Sequence, residues 1–275
     1  MYMRFTRALF AAAAAGATIA AFGLTAAGTA GAATGPGRAF SNNHFAGNHP
    51  MPATGAAAVV FVTRHLAGYH TATSETRRFR YAATTLQMTA CPLPIARTKN
   101  PVAVVALFGG TTRDAEVDVL CNGGAGSLLF FDQKSATTHA QGAFHLSPRV
   151  GDRLRISVSR NVAAHRDSFT VTNLRTGGSQ TVRVTTSAAV VYRHAFMGSA
   201  ISSNANVLPL PANNTLLWTF GNSRVITNGG VRGTLRGPWA AAKYIDRTAG
   251  GVTVMTPSTL SASGAGFSTH LHAAA

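Results

Sequence analysis

Arg153-Leu-Arg-Ile-Ser-Val-Ser159 alternates without a break. Leu154, Ile156 and Val158 fall on one side, and Arg153, Arg155, Ser157 and Ser159 on the other. A period of two marks an extended strand with one face in a core and one in water. Strands of this kind belong to antiparallel sheets, because parallel sheets bury both faces. Outward from this segment, further short apolar and β-branched runs predict strands. They are 59–64, 78–89, 102–108, 116–120, 127–131, 168–172, 181–186, 215–220 and 251–255. Turn signals separate them: Gly109-Gly110, Asn122-Gly-Gly124, Pro148 to Asp152, Arg175-Thr-Gly-Gly178 and Asn228-Gly-Gly230. No segment between residues 57 and 275 holds a helical stripe, so the reading is an all-β protein, a sandwich or barrel.

The chain has 275 residues, 46% of them apolar, 12% charged, with 28 glycines and 11 prolines. It is too apolar for a disordered polybasic tail. With Cys91 and Cys121 its only cysteines, a cysteine-rich metal module is excluded. Residues 1–32 carry Arg4 and Arg7, an apolar run and the small residues Ala30-Gly-Ala32, the layout of a secretory signal peptide. Residues 33–56, rich in Gly, Pro, Asn, Ala and His, form a flexible leader, and 57–275 form the sandwich domain. Export makes the protein extracellular, a monomer with no transmembrane segment after cleavage. In that compartment Cys91 and Cys121 read as one disulfide.

Lys and Arg number 24 against 8 Asp and Glu, a formal charge of +16. Such a field draws polyanions, and an anionic cell-envelope polymer or a peptide is the expected partner. There is no dedicated nucleic-acid motif, no metal motif and no cofactor fingerprint. Acids are scarce: Glu75, Asp114, Glu116, Asp118, Asp132, Asp152, Asp167 and Asp246 are all there are. Glu116 and Asp118 share one face by strand parity, as a solvated edge, a cation-binding pair or an acid–base pair. Asp132 reads as paired with Lys134 or an arginine, or as a buried acid of raised pKa. Asp152 reads as a turn residue bonding backbone amides. His194 near Ser199 reads as a chance pair.

Several patches, in order, carry a resemblance. Leu66-Ala-Gly-Tyr69 resembles a Trp-x-Gly-Tyr opening, Phe79 to Leu86 the following strand, and Cys91-Pro92 and Cys121-Asn-Gly123 the two cysteine positions. Val105 to Gly110 is similar to Trp-Val-Gly-Leu-Asp-Gly, and Leu129-Phe-Phe-Asp132 to Ala-Trp-Tyr-Glu. Val150-Gly-Asp152, Phe169 to Gly178, Leu208-Pro-Leu210 and Thr256 to Ser268 complete the set. Over residues 64–272 the chain resembles the glutamic peptidases (eqolisins), secreted acid endopeptidases. The resemblance implies a two-sheet antiparallel β-sandwich, the concanavalin A-like jelly roll of legume lectins and glucanases.

It also implies a mechanism. In that family a Glu is general base to the attacking water, and a Gln amide holds the water and the oxyanion. Here no Gln lies between Gly110 and Cys121; Asp114, or Glu116 with a gap, occupies that column. The column of the Glu falls near Ser199, and no Asp or Glu occurs from Ser168 to Ile245. The groove positions carry Leu66, Tyr69, Phe130 and Ser199. The expectation is a non-catalytic sandwich. The alternatives are an active acid endopeptidase with relocated acids, from Asp114, Glu116 and Asp132, and a lectin-like carbohydrate-binding module.

Overall fold

The computed structural model describes residues 59–63, 66–73, 78–89, 101–109, 114–122, 125–133, 139–201, 215–247 and 251–272. Among them lie sixteen strands and no helix. The first eight are β1 (Val59–Thr63), β2 (Leu66–Ala72), β3 (Phe79–Met88), β4 (Pro101–Phe108), β5 (Asp114–Asn122), β6 (Ala125–Gln133), β7 (His139–Ala143) and β8 (Arg153–Asn161). The rest are β9 (Arg166–Asn173), β10 (Ser179–Thr185), β11 (His194–Ile201), β12 (Thr215–Thr227), β13 (Arg232–Gly233), β14 (Ala240–Arg247), β15 (Thr253–Pro257) and β16 (Phe267–Leu271).

The segment that decides the fold behaves as its pattern requires. In β8, Leu154, Ile156 and Val158 are buried while Arg153 and Arg155 are exposed. Its hairpin partner β9 buries Phe169 and Val171, opposite Val158 and Ile156. The turn to β10 uses Gly177 at φ 74°, a left-handed conformation that glycine adopts without a Cβ clash, and its N–H donates to Asn173 O at 2.9 Å.

Hydrogen bonding runs along β10-β9-β8-β3-β12-β16-β15-β14-β2-β11-β4-β5-β6-β7. Neighbours on this path are antiparallel, and β1 adds to β14 in parallel. The path folds over, so that β3 lies against β4 and β11, β8 against β4 and β5, and β9 against β5. The expected two-layer antiparallel sandwich is therefore the architecture, with its layers joined through the short β15 and β16. One large core fills the space between them. The first layer supplies Leu86, Ile156, Val158 and Phe169, the second Val105, Leu107, Val117 and Phe130. Burying each such side chain is worth about 1.5–3 kcal/mol before conformational entropy is charged against it.

Asp152 ties a corner of the first layer. Its carboxylate accepts from the Arg149 backbone N–H at 3.1 Å, from Asn173 Nδ2 at 2.7 Å and from the Arg175 guanidinium. The Arg175 bond, with the two other donors, lowers its pKa to about 2. This is the turn role read from the sequence, extended to a latch between the start of β8 and the β9–β10 hairpin.

Candidate functional site

The second layer turns its outer face away from the large core, and there the acids gather. Asp114, Glu116 and Asp118 of β5 alternate with Ala115, Val117 and Val119, which enter the core. Alternate residues on a strand stand about 6.6 Å apart, so the row spans about 13 Å. The solvated edge expected of these residues is not what forms: all three are at most 1% exposed. The same face carries a second apolar cluster of Leu66, Val102, Val104, Ala106, Phe108, Phe196 and Ala200. Both Glu116 oxygens and Asp118 Oδ1 lack a hydrogen-bond partner among the described residues. Burial, then the neighbouring Asp118 and Asp114 charges, push the Glu116 carboxyl well above the usual range. Burial alone lifts Asp118 to about 7. In mild acid both are neutral carboxylic acids, able to donate. Asp118 also borders a cavity of about 170 Å³ with Leu129, Phe131 and Gln141.

Across the face, His70 of β2 and His194 of β11 lie with ring centroids 4.8 Å apart, and His70 Nδ1 meets the Tyr244 hydroxyl at 3.1 Å. Burial, and then Arg193, lower the His194 pKa to about 4. The register places Glu116 beside Ala106, Ala106 beside Phe196, and Phe196 beside His70. Three strand steps, about 14 Å, thus separate Glu116 from His70, while His194 lies beside Phe108 and Phe108 beside Asp114, two steps or about 10 Å. The residues of β11 on this face are His194, Phe196, Gly198 and Ala200, without a carboxylate. Gly198 pairs with Gly68, and a Cβ on Gly198 would lie 2.5 Å from Ala67 O and 2.8 Å from Gly68 Cα. The two strands require glycine there.

The residues singled out in the sequence divide between the two faces of this layer. Asp114, Glu116 and Leu66 share the outer face. Tyr69 points into the core, its hydroxyl donating to Ser258 O at 2.7 Å. Phe130 packs on Phe144 and Phe169, and Ser199 Oγ meets Thr269 Oγ1 at 2.6 Å. Leu66, Tyr69, Phe130 and Ser199 therefore line no common groove. Asp132 lies opposite Ala115 on the inner side, buried, where its charge acts on Tyr192. It is not brought to Asp114 or Glu116. Ser199 and His194 take opposite faces of β11, so they form no nucleophile–base pair. Cys91 and the Cys121 side chain lie outside the described residues, and with them the expected disulfide. His70 went unnoticed in the sequence because β2 is buried on both sides and shows little alternation, and Tyr244 because β14 opens on three alanines.

The first layer's outer face is the opposite in charge. All seven described acids are buried, at most 4% exposed. Among the described residues the ion pairs are two, Arg160–Asp167 at 3.4 Å and Arg175–Asp152. Arg153 and Arg155 of β8, Arg166 of β9, Arg183 of β10 and Arg224 of β12 are exposed and share in neither. Between them run hydroxyl pairs, Thr170–Thr181 at 2.9 Å and Thr172–Ser179 at 2.8 Å. The result is a flat array of arginines and hydroxyls with no carboxylate.

No protein-family model matches the chain, and no curated protein matches it in sequence. Solved structures do match in shape. Scytalido-glutamic peptidase with a transition state analog inhibitor superposes with a TM-score of 0.55 at 16% identity, covering 76% of this chain and 98% of that one. The same peptidase with a peptide-based transition state analog gives 0.56 at 17% identity, with the same coverage. A member of the eqolisin family of peptidases in a complex with the tripeptide Ala-Ile-His gives 0.50 at 16% identity, again covering 76% and 98%. With the strand order and two-layer core above, these likenesses show that the chain has the β-sandwich fold of the glutamic peptidases.

Proposed function

We propose that the chain is an exported, non-catalytic protein that uses a peptidase-type sandwich to bind an anionic polymer. One observation carries this reading: among the described residues every carboxylate is buried, while Arg153, Arg155, Arg166, Arg183 and Arg224 stand exposed and join neither ion pair. A surface built only for solubility intersperses both signs. One-signed charge on a flat face instead attracts a polyanion and releases its counterions on contact. The acids on the other layer support the non-catalytic half of the reading. They come from one strand, and β11 faces them with His194, Phe196, Gly198 and Ala200, without a second carboxylate.

Binding of the exported chain to immobilised polygalacturonate, dextran sulfate and neutral dextran across 20–500 mM NaCl tests this. Retention on the charged polymers alone, falling steeply with salt, is expected. Equal retention on neutral dextran, insensitive to salt, would replace the polyanion with a lectin-like role.

A second reading has its own support. Glu116 is buried, unpartnered and of raised pKa, as catalytic acids are. If it serves an acid endopeptidase, purified protein digests denatured substrates between pH 2 and 7, and Glu116→Gln abolishes the digestion. No cleavage by the wild type leaves the binding protein.

A further inference from the structure

A cleft of about 700 Å³ opens where β3, β8 and β9 meet the turn after β12. Arg80, Arg166, Ser159, Ser168, Asn228 and Tyr81 line it. We infer that this cleft is the specificity site of the arginine face, and that it takes an acidic saccharide: sugar rings bearing a carboxylate or sulfate. The inference rests on the polyanion reading and names its ligand.

The charge of the cleft is fixed by where the nearest acid points. Asp167 is fully buried, held from below by Arg160 at 3.4 Å and by the Tyr192 hydroxyl at 2.7 Å. Arg160 also donates to Ser187 O at 2.7 Å and to the Thr186 hydroxyl. That pair is neutral as a unit. Among the described residues Arg80 and Arg166 then join no ion pair, and no carboxylate lines the cleft. Arg160 borders the cleft from the buried side, its guanidinium turned to Asp167.

The other groups choose among polyanions. The register places Ile226, Tyr81, Ser159, Ser168 and Arg183 in one row across five strands, about 19 Å long. A row of that length suits an extended chain rather than a single small anion. Its members are an isoleucine at one end, one half-buried tyrosine ring, two serine hydroxyls and an arginine at the other end. Serine hydroxyls and the Asn228 amide both donate and accept, matching sugar hydroxyls. Tyr81 offers one ring face. Single-stranded nucleic acid would want successive stacking platforms, and the row has one aromatic. Polyphosphate would use the hydroxyls only as donors and leave the ring without a use.

The test is titration of the intact chain with charge-matched oligomers of galacturonate, sulfated dextran, single-stranded DNA and polyphosphate, at 150 mM NaCl. Expected is tighter binding, by at least tenfold, of one or both saccharides. Arg80→Gln with Arg166→Gln should abolish that preference, and Tyr81→Ala should weaken saccharide binding about fivefold without changing polyphosphate binding. Thermal melts of each variant confirm folding. DNA or polyphosphate binding as tightly as the saccharides, with Tyr81→Ala silent, overturns the saccharide assignment and leaves the polyanion reading standing. Saccharide binding unaffected by the Arg80 and Arg166 changes overturns the site. Binding of none of the four overturns both.

Discussion

The two layers of this sandwich solve the same burial problem with opposite sorting of charge. In β8, β9 and β10 each strand has one wet face, and arginines and hydroxyls occupy it. In β2, β4, β5 and β11 both faces are buried, and the second face holds apolar side chains together with Asp114, Glu116 and Asp118. The first layer keeps its cations in water at almost no cost. The second holds acids where ionisation is expensive. The difference separates a layer whose charge serves an encounter from one whose charge makes stability depend on pH.

The largest expected effect comes from that pH dependence. Asp118 has its folded pKa raised to about 7, and Glu116 is raised as well. Below about pH 4 both are protonated in the folded and the unfolded chain. Between pH 4 and 7 the unfolded chain releases those protons while the folded one keeps them, so stability falls as pH rises. Asp118 alone accounts for about 4 kcal/mol of loss by pH 7, or roughly 10 °C in Tm. Melting curves from pH 4 to 8 should show the fall, and Glu116→Gln with Asp118→Asn should reduce it, leaving the opposed contributions of Asp246, raised to about 7, and His194, lowered to about 4. A Tm that rises over this range would mean that the acids are charged and paired, and the contrast between the layers would fail.

The next effect compares two faces of one strand. Ile156→Ala empties a fully buried site between the layers and should cost about 3–4 kcal/mol in denaturant unfolding. A loss below about 1 kcal/mol would show that the layers do not pack tightly across β8.

The same contrast explains what the sequence reveals. Strands with one wet face are visible as alternation, and β8, β9 and β10 fall where the pattern puts them to within two residues. Leu66-Ala-Gly-Tyr-His-Thr-Ala72 is buried at every position, so it has no period to read. His194 to Ile201 is obscured in the same way, and its strand escapes a reading by periodicity. The acids show the converse. Asp114-Ala-Glu-Val-Asp118 alternates like a wet edge, and its parity correctly puts the acids together. Whether that face is wet depends on tertiary packing, which parity does not encode. The arginine face was legible as charge. Its purity was not, because it requires Asp152 and Asp167 to turn inward to Arg175, Arg160 and Tyr192.

Asp152 offers a mid-sized test on the first layer. Its pKa is lowered to about 2, so its contribution is present above about pH 4 and lost as pH falls from 4 to 2. Asp152→Ala should cost about 2 kcal/mol at pH 5, by leaving Asn173 Nδ2 and the Arg149 N–H without their acceptor. The variant should also lose the wild type's decline below pH 4. Together with the acid row this bounds the pH range of greatest stability, the first layer's Asp152 lowering stability below pH 4 and the second layer's acids lowering it toward pH 7.

The smallest expected effect on stability is also the sharpest statement about the arginine face. Arg155 and Arg224 are exposed and join no ion pair among the described residues, so their guanidinium groups hold nothing in place. Arg155→Gln with Arg224→Gln should leave unfolding free energy within about 0.5 kcal/mol of the wild type, since exposed substitutions away from packing rarely exceed that. Removing two like charges from one face also relieves repulsion, so a slight gain is the expected sign. The salt dependence of polymer binding should nonetheless become shallower, because fewer counterions are exchanged on contact. A pair of residues that contributes nothing to folding but sets the slope of binding against salt is present for an encounter. A marked loss of stability would instead make these arginines structural, and the two layers would no longer differ in what their charge is for.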